Sequence, residues 1–222
     1  MIIKKYGIEL HRLTEKDLEL VRQKRNDKNI QKKMFYQEEI TSEAQQKWFE
    51  GINNKFNYYF IIRCNGEKIG LVHGKILSFE SKIAEGGIFV WDLNYQNSHV
   101  PVMVSICMTD LTFFVLNMNK TIACVRTDNR VAIDYNSKLG YREISRDTAN
   151  SKIELELVKQ DYERASVQLR KVINKLYKEE SELSWDDVYF TKEELKLNLY
   201  NEFPSYIQDE INKKLNHEKT QI

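Results

Sequence analysis

The sequence predicts an α/β domain over residues 1–160, followed by a helical extension over 161–222. Three observations carry this prediction. The stretch Tyr58–Cys64 reads as a strand and is joined to a return strand, Lys68–Leu77, by Asn65-Gly66, the dipeptide that favours a two-residue hairpin turn. An apolar strand pattern, Thr121–Thr127, runs into a helical pattern, Arg130–Leu139. After Asp161 the apolar residues recur at helical spacing alone.

The elements follow in order. Ile8–Leu13 alternates like a strand. Thr14 with Asp17 forms an N-cap pair, and Leu18 and Val21 carry a helix to the break at Arg25-Asn26-Asp27. A short helical piece is expected over Ile30–Phe35. Thr41 or Ser42 caps the next helix, with Ala44, Trp48, Phe49 and Ile52 as its apolar face and Asn53-Asn54 as its end. In the return strand, Gly70 and Gly74 mark a bulge or close packing. Ile83–Trp91 is the next strand, Val102–Leu116 a buried helix, and Gly140 a left-handed C-cap for Arg130–Leu139. Arg142–Ser145 and Lys152–Val158 complete the domain as a pair of strands.

In the extension, Ala165, Leu169, Val172, Ile173, Leu176 and Tyr177 form one stripe; Leu195, Leu199 and Phe203, ended by Pro204, form a second; Ile207, Ile211 and Leu215 form a third. Ser184 with Asp187, and Thr191 with Glu194, read as capping boxes. These faces are expected to dock on the domain or to pair with a second subunit, which would make a homodimer through the C-terminal helices.

Net charge is +1, so no electrostatic case exists for nucleic acid. Three cysteines far apart, with no Cys-x-x-Cys pair, argue against a disulfide framework or a zinc site. The N-terminus lacks a signal core and no stretch is long enough to span a bilayer, which makes cytoplasmic residence the default expectation.

The unit 121–141 (TIACVRTDNRVAIDYNSKLGY) resembles a signature of the GNAT N-acetyltransferases. In that family a strand ends just before an Asn, and a helix Asn-x-x-Ala/Ser runs to Lys-Leu-Gly-Phe/Tyr. Asn129, Ala132, Lys138, Leu139, Gly140 and Tyr141 match in register. The run Leu20–Asp27, then Ile30, Met34, Ile40-Thr41 and Trp48-Phe49, resembles the branch that acetylates amino sugars on nucleotide carriers, or protein N-termini. Together the matches cover about residues 8–158. They imply a GNAT fold, a mixed and mostly antiparallel twisted sheet flanked by helices, with acetyl-CoA as cosubstrate, a small-molecule amine as acceptor and no metal.

The resemblance also implies a site. Direct attack by an amine on a thioester needs a neutral amine, hence a base or a water chain, and a backbone N–H for the carbonyl oxygen as it gains charge. The family places that donor where two strands splay, here Val90, Trp91 and Asp92. Asn129 is implied to bond the pantetheine arm or to order the adjoining loop, and Arg25, Asn26, Met34 and Trp48 to face the acceptor. Glu85 is the first choice of base, against the reading of a cross-strand partner for Lys or Arg. His73 is placed to share its pocket, against a structural hydrogen-bonding role; His11 and His217 are weaker candidates.

Two positions depart from the family pattern. The loop aligned on the pyrophosphate reads Gln96, Asn97, Ser98, His99, Val100, Pro101, so both small positions are lost, to His99 and Pro101. The Tyr that protonates the leaving thiolate is replaced by Asn136, which can donate a hydrogen bond but not act as an acid. Three functions therefore stay open: acetylation of a small amine such as a nucleotide-linked amino sugar, acetylation of a protein N-terminus, and a GNAT fold that binds or regulates without catalysis.

Overall fold

The computed structural model describes residues 1–179, 181–190 and 199–220. Nine strands form one sheet in the order β7-β8-β6-β5-β4-β3-β2-β1-β9. They are β1 (Ile2–Lys5), β2 (Ile8–Arg12), β3 (Asn57–Cys64), β4 (Glu67–Ser78), β5 (Ile83–Val90), β6 (Lys120–Arg126), β7 (Arg142–Asp147), β8 (Lys152–Val158) and β9 (Val188–Tyr189). Of the described strand pairs, β5–β6 alone is parallel. The helices are α1 (Leu18–Asn26), α2 (Lys28–Gln31), α3 (Ser42–Ile52), α4 (Leu93–Gln96), α5 (Val100–Asp110), α6 (Arg130–Lys138), α7 (Lys159–Tyr177) and α8 (Ser205–Thr220).

Local chemistry sets most boundaries as expected. Thr14 and Asp17 form a capping box ahead of α1, and Thr41, not Ser42, caps α3 by accepting from Ala44 N–H. Asn65 and Gly66 turn β3 into β4 with φ of 51° and 83°, the left-handed pair that matches strand twist. The close packing expected at Gly74 is real: a Cβ there would lie 2.0 Å from the Tyr58 ring. A bulge sits beside Gly70, between Ile62 and Arg63.

The sheet is covered on both faces. Leu10, Phe60, Ile62 and Val72 pack with Val104, Cys107 and Leu111 of the α5 side, while Ile61 and Leu71 pack with Leu18, Val21 and Phe49 of α1 and α3. Helix α6 lies on the α5 side, over Ala123, Val125, Ile153 and Leu155.

Several expectations are corrected. β1 precedes the first predicted strand and turns back through Tyr6 and Gly7. The short helix is Lys28–Gln31, leaving Phe35 exposed. In α3 the buried face carries Gln45 and Phe49, and Ala44 is exposed. The helix expected to run to Leu116 changes to a π turn over Leu111–Val115, closed by Leu116 N–H to Leu111 C=O at 2.8 Å. The extension is not purely helical, because Val188–Tyr189 adds a strand beside β1. In α7, Val172 and Leu176 are exposed; the buried positions are Tyr162, Ser166 and Ile173. Ser184 and Asp187 do form a capping box, around the turn Trp185–Asp187. Thr191 with Glu194, Leu195, and the side chains of Leu199 and His217 lie outside the described residues.

The phase of α7 is set by one buried charge. Asp110, the last residue of α5, is fully buried and accepts from Tyr6 hydroxyl (3.0 Å), Tyr162 hydroxyl (2.6 Å), Arg170 Nη1 (3.1 Å) and Leu183 N–H (3.1 Å). Turning α7 to bury Val172 and Leu176 would take Tyr162 and Arg170 away from this carboxylate. Ile173, Leu183, Val188, Ile207 and Ile211 of the extension then fall into the same buried cluster as Ile3 and Leu10.

Candidate active site

β5 and β6 pair only from Ile83–Lys120 to Glu85–Ile122. Beyond that point β5 stays with β4 while β6 stays with β8, and a gap opens between Gly86–Val90 and Ala123–Arg126. Trp91 N–H donates to Ile69 C=O at 2.9 Å, which fixes the hydrogen-bonding parity of the β4–β5 ladder. Gly86, Ile88 and Val90 therefore turn their backbone groups away from β4, into the gap. Of the three predicted donors, the N–H groups of Trp91 and Asp92 both go to Ile69 C=O (2.9 and 3.3 Å), and the indole of Trp91 donates to Lys68 C=O. Val90 N–H faces the gap. Ile88 joins it; parity counted from the Asn65-Gly66 turn would close Ile88 and Val90 onto β4, and the bulge beside Gly70, which shifts β4 by one residue, reverses that.

On the α5–α6 side, side chains stand where glycines would leave backbone. Gln96 Nε2 donates to Val90 C=O (2.8 Å), tying the loop to the strand end, and its Oε1 accepts from Lys33. Ser98 Oγ accepts Val100 N–H (3.1 Å), so the first N–H of α5 is capped from within. Asn97 is exposed. His99 Nε2 and the Tyr177 hydroxyl are 2.8 Å apart, a contact supplied by α7. Across the gap, Asn129 caps α6 by accepting Ala132 N–H (3.1 Å), and Asn136 Nδ2 donates to Ala132 C=O (2.7 Å). Tyr135 points to α5 instead, donating to Pro101 C=O (3.1 Å).

The opposite face of the gap carries titratable and aromatic groups. Glu85, Gly87 and Phe89 alternate along β5 on this face, and His73 of β4 lies opposite Gly87. A Cβ at Gly87 would meet the His73 ring at 2.6 Å, so only glycine leaves the imidazole this seat. His73 stacks on Tyr59 (4.8 Å between centroids), and Trp48 meets Tyr59 edge-on (5.2 Å). Arg25 stands over the Phe89 ring at 5.7 Å. Met34 packs against the same cluster. Asn26 is engaged in structure: its amide exchanges two 2.9 Å bonds with Ile40 backbone. Tyr59, Phe89 and Cys124, which no motif flagged, complete this face; strand alternation was the signal available.

Burial, with the Arg25 charge adding to it, pulls the His73 imidazole down to about 4, so it is neutral at pH 7. Glu85 has no ion pair among the described residues, although Lys75 lies directly across the strands. No group of three or more potential metal ligands occurs among the described residues.

His73 gives a pH prediction. Its folded value, about 4, lies below the ordinary 6.5, so the unfolded chain takes up the proton first as pH falls. Stability is full above pH 6.5, drops between 6.5 and about 4, and loses nothing more to this group below that. Urea midpoints of wild type and His73→Gln, measured from pH 7 to 4, should converge as pH falls. Parallel curves would contradict the assignment.

The comparisons with known proteins bear on this geometry. The family model described as an acetyltransferase (GNAT) domain matches residues 8–142. Spermidine N(1)-acetyltransferase of Escherichia coli strain K12 is 27% identical over 137 residues, covering 61% of this chain and 73% of that protein. Among solved structures, spermidine N-acetyltransferase from Vibrio cholerae, in complex with CoA and spermine, aligns with a TM-score of 0.63 at 18% identity, over 71% of this chain and 99% of that one. FdhC, described as a nucleotide-linked sugar GNAT, aligns with a TM-score of 0.66 at 20% identity, over 78% of this chain and 98% of that one. The chain belongs to the GNAT acetyltransferase family. It is an N-acetyltransferase built on the predicted mixed, mostly antiparallel sheet. Among the described residues no helix is long and apolar enough to cross a membrane.

Proposed function

We propose that the chain moves the acetyl group of acetyl-CoA to a primary amine on an acceptor that also carries phosphate, an amino sugar on a nucleotide carrier. The observation that carries this reading is Arg25. Its guanidinium has no carboxylate partner among the described residues and stands beside His73 and Phe89 on the face away from α5 and α6. An unpaired arginine in a partly buried slot is a seat for phosphate and repels a polycation. The rings of Trp48, Tyr59 and His73 add a stacking wall that suits a planar base.

Acetyl-CoA supplies an acetyl group activated as a thioester. The gap fits its arm, since the Ile88 backbone and the Val90 N–H have no partner in β6, while the Val90 carbonyl is held by Gln96. At the pyrophosphate end His99 and Pro101 stand at the family's small positions, so the His99–Tyr177 pair takes the place of open backbone. Val90 N–H faces the acetyl oxygen as it gains charge. Glu85 takes the ammonium proton of the acceptor, directly or through water. Asn136 keeps one amide N–H beyond the bond to Ala132 and turns it to sulfur; with a thiol pKa of about 8.5 the leaving group needs no strong acid. His73, neutral, holds the wall.

Acetyl transfer is read as CoA release with a panel: a nucleoside-diphosphate amino hexose, the free amino hexose, spermidine and an N-terminal peptide. The nucleotide sugar should turn over best, and Arg25→Gln should raise its KM about tenfold while leaving kcat within about twofold. Spermidine is the second reading, favoured by the curated relatives. Faster turnover of spermidine, with Arg25→Gln improving it, would overturn the phosphate-bearing acceptor.

A further inference from the structure

At the sheet end far from Val90, a cleft of about 450 Å³, counted out to its open mouth, lies between the start of β3 and the C-terminal extension. Its walls are apolar: Leu116 of the π-turn end, Trp185, Phe203, Ile207 and Ile211 are among them. Polar side chains on its lining include Asn57, whose amide donates to Asn54 (2.9 Å), and two others, Arg12 and Tyr200. Arg12, at the end of β2, has no ion pair or side-chain hydrogen bond among the described residues. Tyr200 is only 8% exposed, and its hydroxyl is buried with no partner among the described residues.

We propose that this cleft binds a small carboxylic acid with an apolar body, a ligand separate from both substrates of acetyl transfer. An unpaired guanidinium and an orphan phenol are each costly to bury, and finding both at one cleft calls for an acceptor with several lone pairs. A carboxylate supplies these, taking two N–H donors from Arg12 and the O–H of Tyr200. Tyr200 is a donor at any physiological pH, since burial pushes its phenol up to about 12 despite the Arg12 charge. Among the described residues no carboxylate is recorded in that role: Glu202, on the same turn as Tyr200, is paired to Lys55 at 3.4 Å. A phosphate fits less well, because a dianion would face one guanidinium inside apolar walls. The walls suit the apolar body of such an acid, seated at the open mouth of the cleft. Because Trp185, Tyr200, Phe203, Ile207 and Ile211 all come from the extension, the site exists only where this extension is folded onto the sheet.

Calorimetric titration of the full chain tests this with hexanoate, hexan-1-ol and inorganic phosphate. Hexanoate should bind with a Kd of roughly 0.1–1 mM, and hexan-1-ol and phosphate at least tenfold more weakly. Arg12→Gln should weaken hexanoate at least tenfold, and Tyr200→Phe about threefold to fivefold. If Arg12→Gln does not fold, Tyr200→Phe and the hexanoate-to-hexanol ratio decide. No hexanoate binding to wild type, equal binding of hexanol or phosphate, or an affinity unchanged in both variants overturns the proposal. None of these readouts depends on acetyl transfer.

Discussion

Asp110→Ala should lower the melting temperature by roughly 10 °C, the largest single-residue effect on stability expected in this chain. Removing the carboxylate leaves the Arg170 guanidinium with only a 4.0 Å contact to the exposed Glu182, strips the Leu183 N–H of its acceptor, and leaves the Tyr6 and Tyr162 hydroxyls only their longer bonds to Ser181 and Ile106 carbonyls. Breaking a buried pair from one side costs about 3–5 kcal/mol, because a charge is stranded. At about 2–4 °C per kcal/mol for a chain of this size, that gives the stated shift. Asp110→Asn keeps an acceptor oxygen but not the charge, so it should fall between the two. Arg170→Met removes the stranded cation, and adding it to Asp110→Ala should cost less than the sum of the single changes. The network joins α5, the β1–β2 turn, α7 and the approach to β9. Asp110→Ala should therefore also expose the extension, with limited proteolysis cutting after α7 well before the sheet is attacked. A melting temperature within 2 °C of wild type, by order of the surface-substitution range, would show that the network contributes little.

The same network explains what the sequence could and could not disclose. Turn chemistry and periodicity are local, so Asn65-Gly66, Thr14 with Asp17, Thr41 and Gly140 reported their structures faithfully. The face of α7 was a long-range matter. Apolar spacing favoured Val172 and Leu176, but a buried Asp110 with partners at Tyr162 and Arg170 outweighed them. β1 and β9 were missed because strands of four and two residues carry too little pattern, and each forms only by pairing with a distant segment. At the gap, the family motif pointed to the strand end, but the bulge beside Gly70 hid the parity: the N–H groups of Val90 and Ile88 are open, those of Trp91 and Asp92 are taken. Asn129 and Asn136 were legible as motif positions, but their local bonds to α6 backbone appear only once the helix is built.

Glu85→Gln should lower kcat by about 10²–10³ while leaving KM within about threefold and the fold intact. The case begins with what Glu85 does not do. Lys75 lies directly opposite on β4, the ordinary place for a cross-strand ion pair, yet no pair forms there. The next two residues, Gly86 and Gly87, have no side chains, so nothing on β5 screens the carboxylate from the gap. Glu85 is also the last residue of β5 paired to β6, which puts it at the floor of the opening rather than along its wall. Its charge is felt by the groups around it: after burial, it helps to raise the phenol of Tyr59 and the thiol of Cys124. His73 is held elsewhere: its ring stacks on Tyr59 at 4.8 Å between centroids and sits over Gly87, one strand further from β6 than Glu85. Glutamine matches the size and hydrogen-bonding reach of the carboxylate, so binding persists while proton removal fails. If proton removal is the lost function, the variant should recover as pH rises and free amine accumulates in solution, with log kcat/KM gaining close to one unit per pH unit. A structural role would lower kcat/KM by the same factor at every pH, and that outcome would assign the proton to solvent alone.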